Sequence, residues 1–160
     1  MSVRICGRLL LVSADNRILL VRGTDPDVPD VYWWALPGGG VETGEGTRAA
    51  AIREVAEETG YQVTPELLCR HLWNREARYQ YRGQTYHARE SVFLARVDST
   101  IRRLSPTMPD EERATILGCR WWSRAELADQ TNEFVPARLP ELVGHVLDNT
   151  LHWPLTLAEP

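Results

Sequence analysis

Glu54, Glu57 and Glu58 are the residues whose types and spacing could do chemistry together. Offsets of three and four residues return to one face of a helix, so Glu54 and Glu58 stack there with Glu57 alongside. Three carboxylates this close repel one another and gain nothing from a dry core. Two readings are open: a solvated acidic helix face, or a cluster of hard oxygen ligands whose repulsion Mg²⁺ or Mn²⁺ would neutralise. Arg53 stands beside them, placed to pair with a carboxylate such as Glu45 across a bend. The run Gly38-Gly39-Gly40 permits positive φ and close backbone approach, so a carbonyl from that turn can join the carboxylates around a metal.

The elements that must position these groups can be read from apolar spacing. Residues 47–59 carry Ala49, Ala50, Ala51, Ile52, Val55 and Ala56 at helical spacing, and Gly60 follows as a C-cap. Ahead of the glycines, residues 3–12 and 18–21 read as a hairpin over the turn 13–17, residues 24–30 as a loop, and residues 31–36 as a strand. Beyond the helix come a strand ending near Trp73 and two more, 78–81 and 86–97, joined across Arg82-Gly83-Gln84. Residues 98–112 read as a loop and 119–122 as a short strand. Ser123 caps a helix from Arg124, with Glu126 completing a capping box. A last helix is expected over 137–147 with Pro140 in its first turn, then a loosely packed tail from Leu151. The pattern is α+β, with residues 1–160 forming a single domain.

Composition bounds the function. The 160 residues carry a net charge of −4, and all 18 basic residues are Arg. An acidic balance argues against duplex nucleic acid as a partner, though a metal or an Arg cluster can reverse the local potential for a small anion. Cys6, Cys69 and Cys119 are odd in number and widely spaced, which predicts buried thiols and no disulfide framework. No apolar run approaches the roughly 20 residues that cross a bilayer, so no membrane partner and a cytoplasmic location are expected.

The stretch from Gly39 to Tyr61 then carries a larger pattern. Gly39, five residues, Glu45, seven residues, and Arg53-Glu54-Val55-Ala56-Glu57-Glu58-Thr59-Gly60-Tyr61 resembles the signature of the Nudix hydrolases. All seven fixed identities are in place over 23 residues; the one departure is Tyr61, where the family usually has an aliphatic residue. Leu36-Pro37-Gly38 and Arg120-Trp121-Trp122 with Glu126-Leu127 look like the same family's approach to the signature and its late strand and helix. The resemblance implies a Nudix-like α/β/α sandwich, a mixed β-sheet between helices. It also implies metal-dependent hydrolysis of a diphosphate linkage.

By that resemblance, Glu57 and Glu58 ligate the metal, Glu58 most firmly, and Glu54 ligates it or helps to activate water. Gly38 would offer its carbonyl, while Arg53 and Glu45 brace the loop against the helix, and Gly39 and Gly60 are structural. Mg²⁺ is the expected cofactor, with Mn²⁺ as a substitute. A further acid from outside the signature is expected among Asp110, Glu111 and Glu112, with Glu112 favoured; Glu90 is the alternative, or else a surface strand residue. Trp33, Trp34, Trp73, Tyr79, Tyr81 and Tyr86 are candidates for base stacking or for core. Only one of each adjacent Trp pair can face inward. Arg22, Arg75 or Arg78 are candidates for holding phosphates, and the four histidines read as structural or surface residues. The expected substrate is a small nucleotide, a nucleoside di- or triphosphate derivative in a housecleaning role. ADP-ribose or a nucleotide sugar is the alternative, and a non-catalytic nucleotide-sensing or RNA-associated domain a more distant one. A homodimer is compatible with the resemblance.

Overall fold

The computed structural model describes residues 2–98, 107–129 and 131–158. Its frame is a nine-stranded sheet built around β1 (Val3–Val12). That strand pairs in parallel with β6 (Gln84–Arg96) from Val3↔His87 to Val12↔Arg96. Its other edge takes β4 (Gly38–Gly40) antiparallel, with Cys6↔Gly40 and Arg8↔Gly38. The expected hairpin is reduced to one pair, Val12↔Ile18, where β2 (Ile18–Thr24) begins. β2 departs from β1 to pair antiparallel with β3 (Tyr32–Ala35) and β7 (Ile116–Trp122). The turn between them holds Asn16 at a φ of 58°.

Helices cover both faces, which explains why β1 runs Leu9-Leu10-Leu11-Val12 without alternation. Leu9 and Leu11 pack with Leu19, Phe93 and the helix α1 (Thr47–Thr59) through Ala51 and Val55. Leu10 and Val12 pack on the opposite face with Leu20, Trp73 and Trp122. Leu139, Leu142, Val143 and Val146 of the late helix α4 (Leu139–Asp148) close that side. The α/β/α sandwich expected from the sequence is the observed architecture. Tyr61 is buried on the α1 side, its ring edge-on to Trp121 at 6.1 Å, so the aromatic fills an apolar position of the core.

Several elements differ from expectation. The strand near Trp73 and the strand 78–81 are one continuous β5 (Leu68–Tyr81), hydrogen-bonded to β6 down to Tyr81↔Gln84. The turn is Arg82-Gly83, both at positive φ. The supposed loop 98–112 lies partly at 99–106, outside the described residues, and ends in a helical turn, α2 (Asp110–Arg113). The tail is not loose: β9 (Leu155–Ala158) pairs in parallel with β5, and Trp153 packs against the core. Cys69 is exposed at the start of β5 and Cys119 half-buried, leaving Cys6 as the buried thiol. Trp34 and Trp122 meet edge to face at 5.0 Å on the α4 side, while Trp121 turns to the α1 side. Ser123 forms the expected capping box on α3 (Arg124–Leu127), and β8 (Phe134–Val135) pairs with β3 ahead of α4. Among the described residues, no helix is long and apolar enough to cross a membrane.

Candidate active site

The site forms where β4 runs beside β1 and α1 crosses above it. α1 ends as its sequence dictates, at Gly60 in a left-handed conformation (φ 79°) whose N–H donates to Ala56 O at 2.8 Å. Glycine at position 39 lets the strand slide under the helix. A Cβ there would sit 2.5 Å from Cδ of Glu54, so any side chain would displace that carboxylate.

Arg53 is the hub. Its Nε donates to Glu45 Oε2 at 3.0 Å and its Nη2 to Glu45 Oε1 and the Gly40 carbonyl, each at 2.9 Å. Its Nη1 donates to Glu54 Oε1 at 2.9 Å and reaches Glu57 Oε2 at 3.4 Å. One planar fork therefore ties the loop, the strand and two helix carboxylates together, which a lysine could not do. These contacts, first those to Glu45, raise the Arg53 pKa, and Arg53 in turn lowers that of Glu45.

Glu54, Glu57 and Glu112 each bring a carboxylate oxygen to within 4.8 Å of the others. Glu112 reaches them from α2, whose approach is fastened to α1 by a hydrogen bond from Thr107 N to the Glu57 carbonyl at 2.8 Å. The side chain of Glu111 lies outside what the structure describes. Burial raises the pKa of Glu54 against the opposing pull of Arg53, with Glu112 and Glu57 adding to the rise. Glu58 is not one of this triplet, although Glu54 and Glu112 both act on its charge. It is buried, its Oε1 accepting the Gly38 N–H at 3.1 Å. Burial pushes its carboxyl up to about 8, against the pull of Arg8. The helix thus presents two carboxylates to the triplet and one to the glycine turn.

A second charged group supports the turn from the other face of the sheet. Arg8 donates from Nε to Glu90 Oε1 at 2.8 Å, and from Nη1 to the carbonyls of Leu36 at 3.0 Å and Gly38 at 3.4 Å. Arg75 donates to Glu90 Oε2 at 2.8 Å. Glu90 is 5% exposed. It is neither a surface residue nor one of the close acidic triplet: burial alone would raise its pKa, but Arg8 and Arg75 hold it below the ordinary value. Arg75, a phosphate candidate by sequence, is committed to this pair. Arg8 was not singled out in the sequence, although an arginine inside an apolar strand run requires a counter-charge, and that was a usable signal.

Among the other candidates, Arg78 is exposed on β5. Arg22 is exposed on β2, its guanidinium 4.4 Å from the Tyr32 ring centroid. With Trp34, Asn132 and Glu133 they line an open hollow of about 410 Å³. Trp73 is core. Tyr79 and Tyr86 stack on each other at 5.5 Å.

Comparisons with known proteins agree with this fold. A family model described as the NUDIX domain matches residues 6–142. An RNA pyrophosphohydrolase of Rhodopseudomonas palustris is 29% identical over 150 residues, covering 86% of this chain and 81% of that protein. A putative 8-oxo-dGTP diphosphatase of Bacillus subtilis is 43% identical over 55 residues, 34% of each chain. Several such matches span only about a third of the relatives' length. Among solved structures, the NUDIX domain of Shewanella oneidensis NrtR, crystallised with ADP ribose, superposes with a TM-score of 0.66 at 17% identity, covering 92% of this chain and 90% of that one. A MutT protein from Methanosarcina mazei gives 0.63 at 19% identity, covering 92% and 96%.

Proposed function

We propose that this chain, which belongs to the Nudix hydrolase family, hydrolyses a diphosphate bond in a nucleoside di- or triphosphate derivative with a divalent cation, Mg²⁺ in the first instance. Family membership and the acidic cluster support the general reaction. The observation that carries the reading is the meeting of Glu54, Glu57 and Glu112 beside the glycine turn. Three carboxylates are a hard oxygen donor set, and their mutual repulsion is the electrostatic condition that a divalent ion relieves. When bound, such an ion lowers the pKa of a water and neutralises phosphate oxygens.

The chain's own residues do the rest. Arg53 fixes Glu54 and Glu57 relative to the loop, so their oxygens need little reorganisation to receive a cation. Glu58 anchors the turn through the Gly38 N–H and is a further ligand once a cation offsets the burial that raises its pKa. Arg8 and Glu90 hold the carbonyls of Leu36 and Gly38 in place. A second reading, a diphosphate linkage carried by an RNA, is favoured by the relative that aligns over 81% of its length and is named an RNA pyrophosphohydrolase.

A product-release panel tests both: canonical and oxidised nucleoside triphosphates, ADP-ribose, nucleotide sugars and a 5′-triphosphorylated RNA, each with Mg²⁺ and with EDTA. Cation-dependent turnover of a nucleotide supports the first reading. Turnover confined to the RNA supports the second, and a folded protein that binds Mg²⁺ and turns over none of them contradicts both.

A further inference from the structure

Glu112 stands nearly sixty residues from Glu54 in sequence and sits on a helix of only four residues, too short to hold its own position. Its downstream flank is fastened at one residue. Thr115 donates its N–H to the Glu112 carbonyl at 3.0 Å, and its own carbonyl accepts the Thr24 N–H of β2 at 2.9 Å. Its Oγ1 hydrogen-bonds the Tyr81 hydroxyl at the end of β5. The β5–β6 hairpin brings Tyr81 there because it outruns β1, whose pairing with β6 begins only at His87. The hairpin tip is held in turn by Asp25, which is 7% exposed and accepts the Arg82 N–H on Oδ2 at 2.9 Å and the Asp27 N–H on Oδ1 at 3.0 Å. Arg82 also places its guanidinium over the Tyr81 ring at 5.7 Å.

We propose that the Tyr81–Thr115 hydrogen bond, with Asp25 behind it, is a positioning device that sets Glu112 against Glu54 and Glu57. Tyr81 and Thr115 are positioning residues: they act through Glu112, and neither belongs to the acidic triplet. The proposal rests on Glu112 being a cation ligand and deepens that reading. Two flanks act on α2 independently: the Thr107 bond holds it to α1, and the Thr115 latch sets its distance from the β2 and β5 ends. Without the latch Glu112 keeps its chemistry and loses its placement, so cation affinity falls while the other two carboxylates remain.

The test is Mn²⁺ affinity, read from the electron paramagnetic resonance signal of the free ion, for Tyr81→Phe, Thr115→Val and Thr115→Ser. Each is made in the wild-type and in the Glu112→Gln background. Removing a supporting partner of a metal ligand weakens affinity about tenfold or more. Tyr81→Phe and Thr115→Val are expected to show that loss in the wild-type background. In the Glu112→Gln background both should change affinity by less than about twofold, and Thr115→Ser, which keeps the hydroxyl, should bind as wild type. A loss of equal size in both backgrounds would make the contact merely structural and overturn the proposal. Wild-type affinity in Tyr81→Phe, with Glu112→Gln impaired, would overturn the latch alone. Wild-type affinity in Glu112→Gln itself would overturn the ligand reading and the latch together.

Discussion

Glu90→Gln probes the charged support beneath the glycine turn. The carboxylate is 5% exposed and accepts two charge-assisted hydrogen bonds of 2.8 Å, from Arg8 and Arg75. Glutamine keeps the shape but loses the charge, and its NH₂ turns a donor towards one guanidinium. Taking away one partner of a buried ion pair costs about 3–5 kcal/mol, because the remaining charge stays buried and uncompensated. Against a total stability of about 5–15 kcal/mol this is a large share. With a urea slope of about 2 kcal/mol per molar, the unfolding midpoint should fall by about 1.5–2.5 M. The pH dependence follows from the lowered pKa of Glu90. A carboxylate with a depressed folded value contributes stability that is present above its unfolded value and is lost as pH falls through the folded value. The midpoint difference between wild type and variant should therefore be largest near pH 7 and shrink on acidification below about 4.5. Urea unfolding followed by tryptophan fluorescence at several pH values checks both. A midpoint shift below about 0.3 M at pH 7, or one that does not change with acidification, would refute the reasoning.

Other perturbations read other parts of the molecule. Ser123→Ala removes the capping box and should cost about 1 kcal/mol in the same assay. It should also let the Glu126 carboxyl, held at about 2 first by the Ser123 backbone N–H and then by the Ser123 side chain, rise only part of the way towards its ordinary range by NMR, because alanine keeps the N–H. Wild type should keep that contribution above about 4.5 and lose it as pH falls through about 2. Arg53→Lys should lower kcat at least tenfold on the best substrate while leaving the far-ultraviolet circular dichroism unchanged, since the fork to Glu45, Gly40 and Glu54 is lost and the fold is not. Trp122→Ala, which opens the core between Trp34 and Phe134, should cost about 3–5 kcal/mol in chemical unfolding.

How much of this was legible in the sequence depends on the range of the interaction. The body and C-terminal end of α1 were readable because spacing and a terminal glycine are local signals, and so was the capping box of Ser123 and Glu126, whereas Gly44 and Gly46 blurred the start of α1. The reach of Arg53 to Glu45 follows from eight residues of chain bending at the glycine turn. Pairing across the sheet was not readable. The turn 13–17 suggested a hairpin, but β1 is satisfied by a distant parallel strand, and the parallel partner leaves no local mark. The same limit hid the burial of Glu90, whose two arginines arrive from β1 and β5. It also concealed β9, whose short apolar run acquires a partner only once β5 is in place. Among Asp110, Glu111 and Glu112 the sequence favoured Glu112 from acidity and position alone, and the contact of Glu112 with Glu54 and Glu57 is a tertiary fact.

The central claim is that the carboxylates of α1, with Glu112, hold the cation on which diphosphate hydrolysis depends. Its most direct test is turnover of the best nucleotide substrate by wild type and Glu57→Gln, measured with Mg²⁺, then with EDTA, then with Mg²⁺ restored in excess. The account predicts wild-type turnover that stops with EDTA and returns with Mg²⁺, and a variant reduced at least a hundredfold throughout. Turnover that persists in EDTA, or a variant as active as wild type in Mg²⁺, would contradict it.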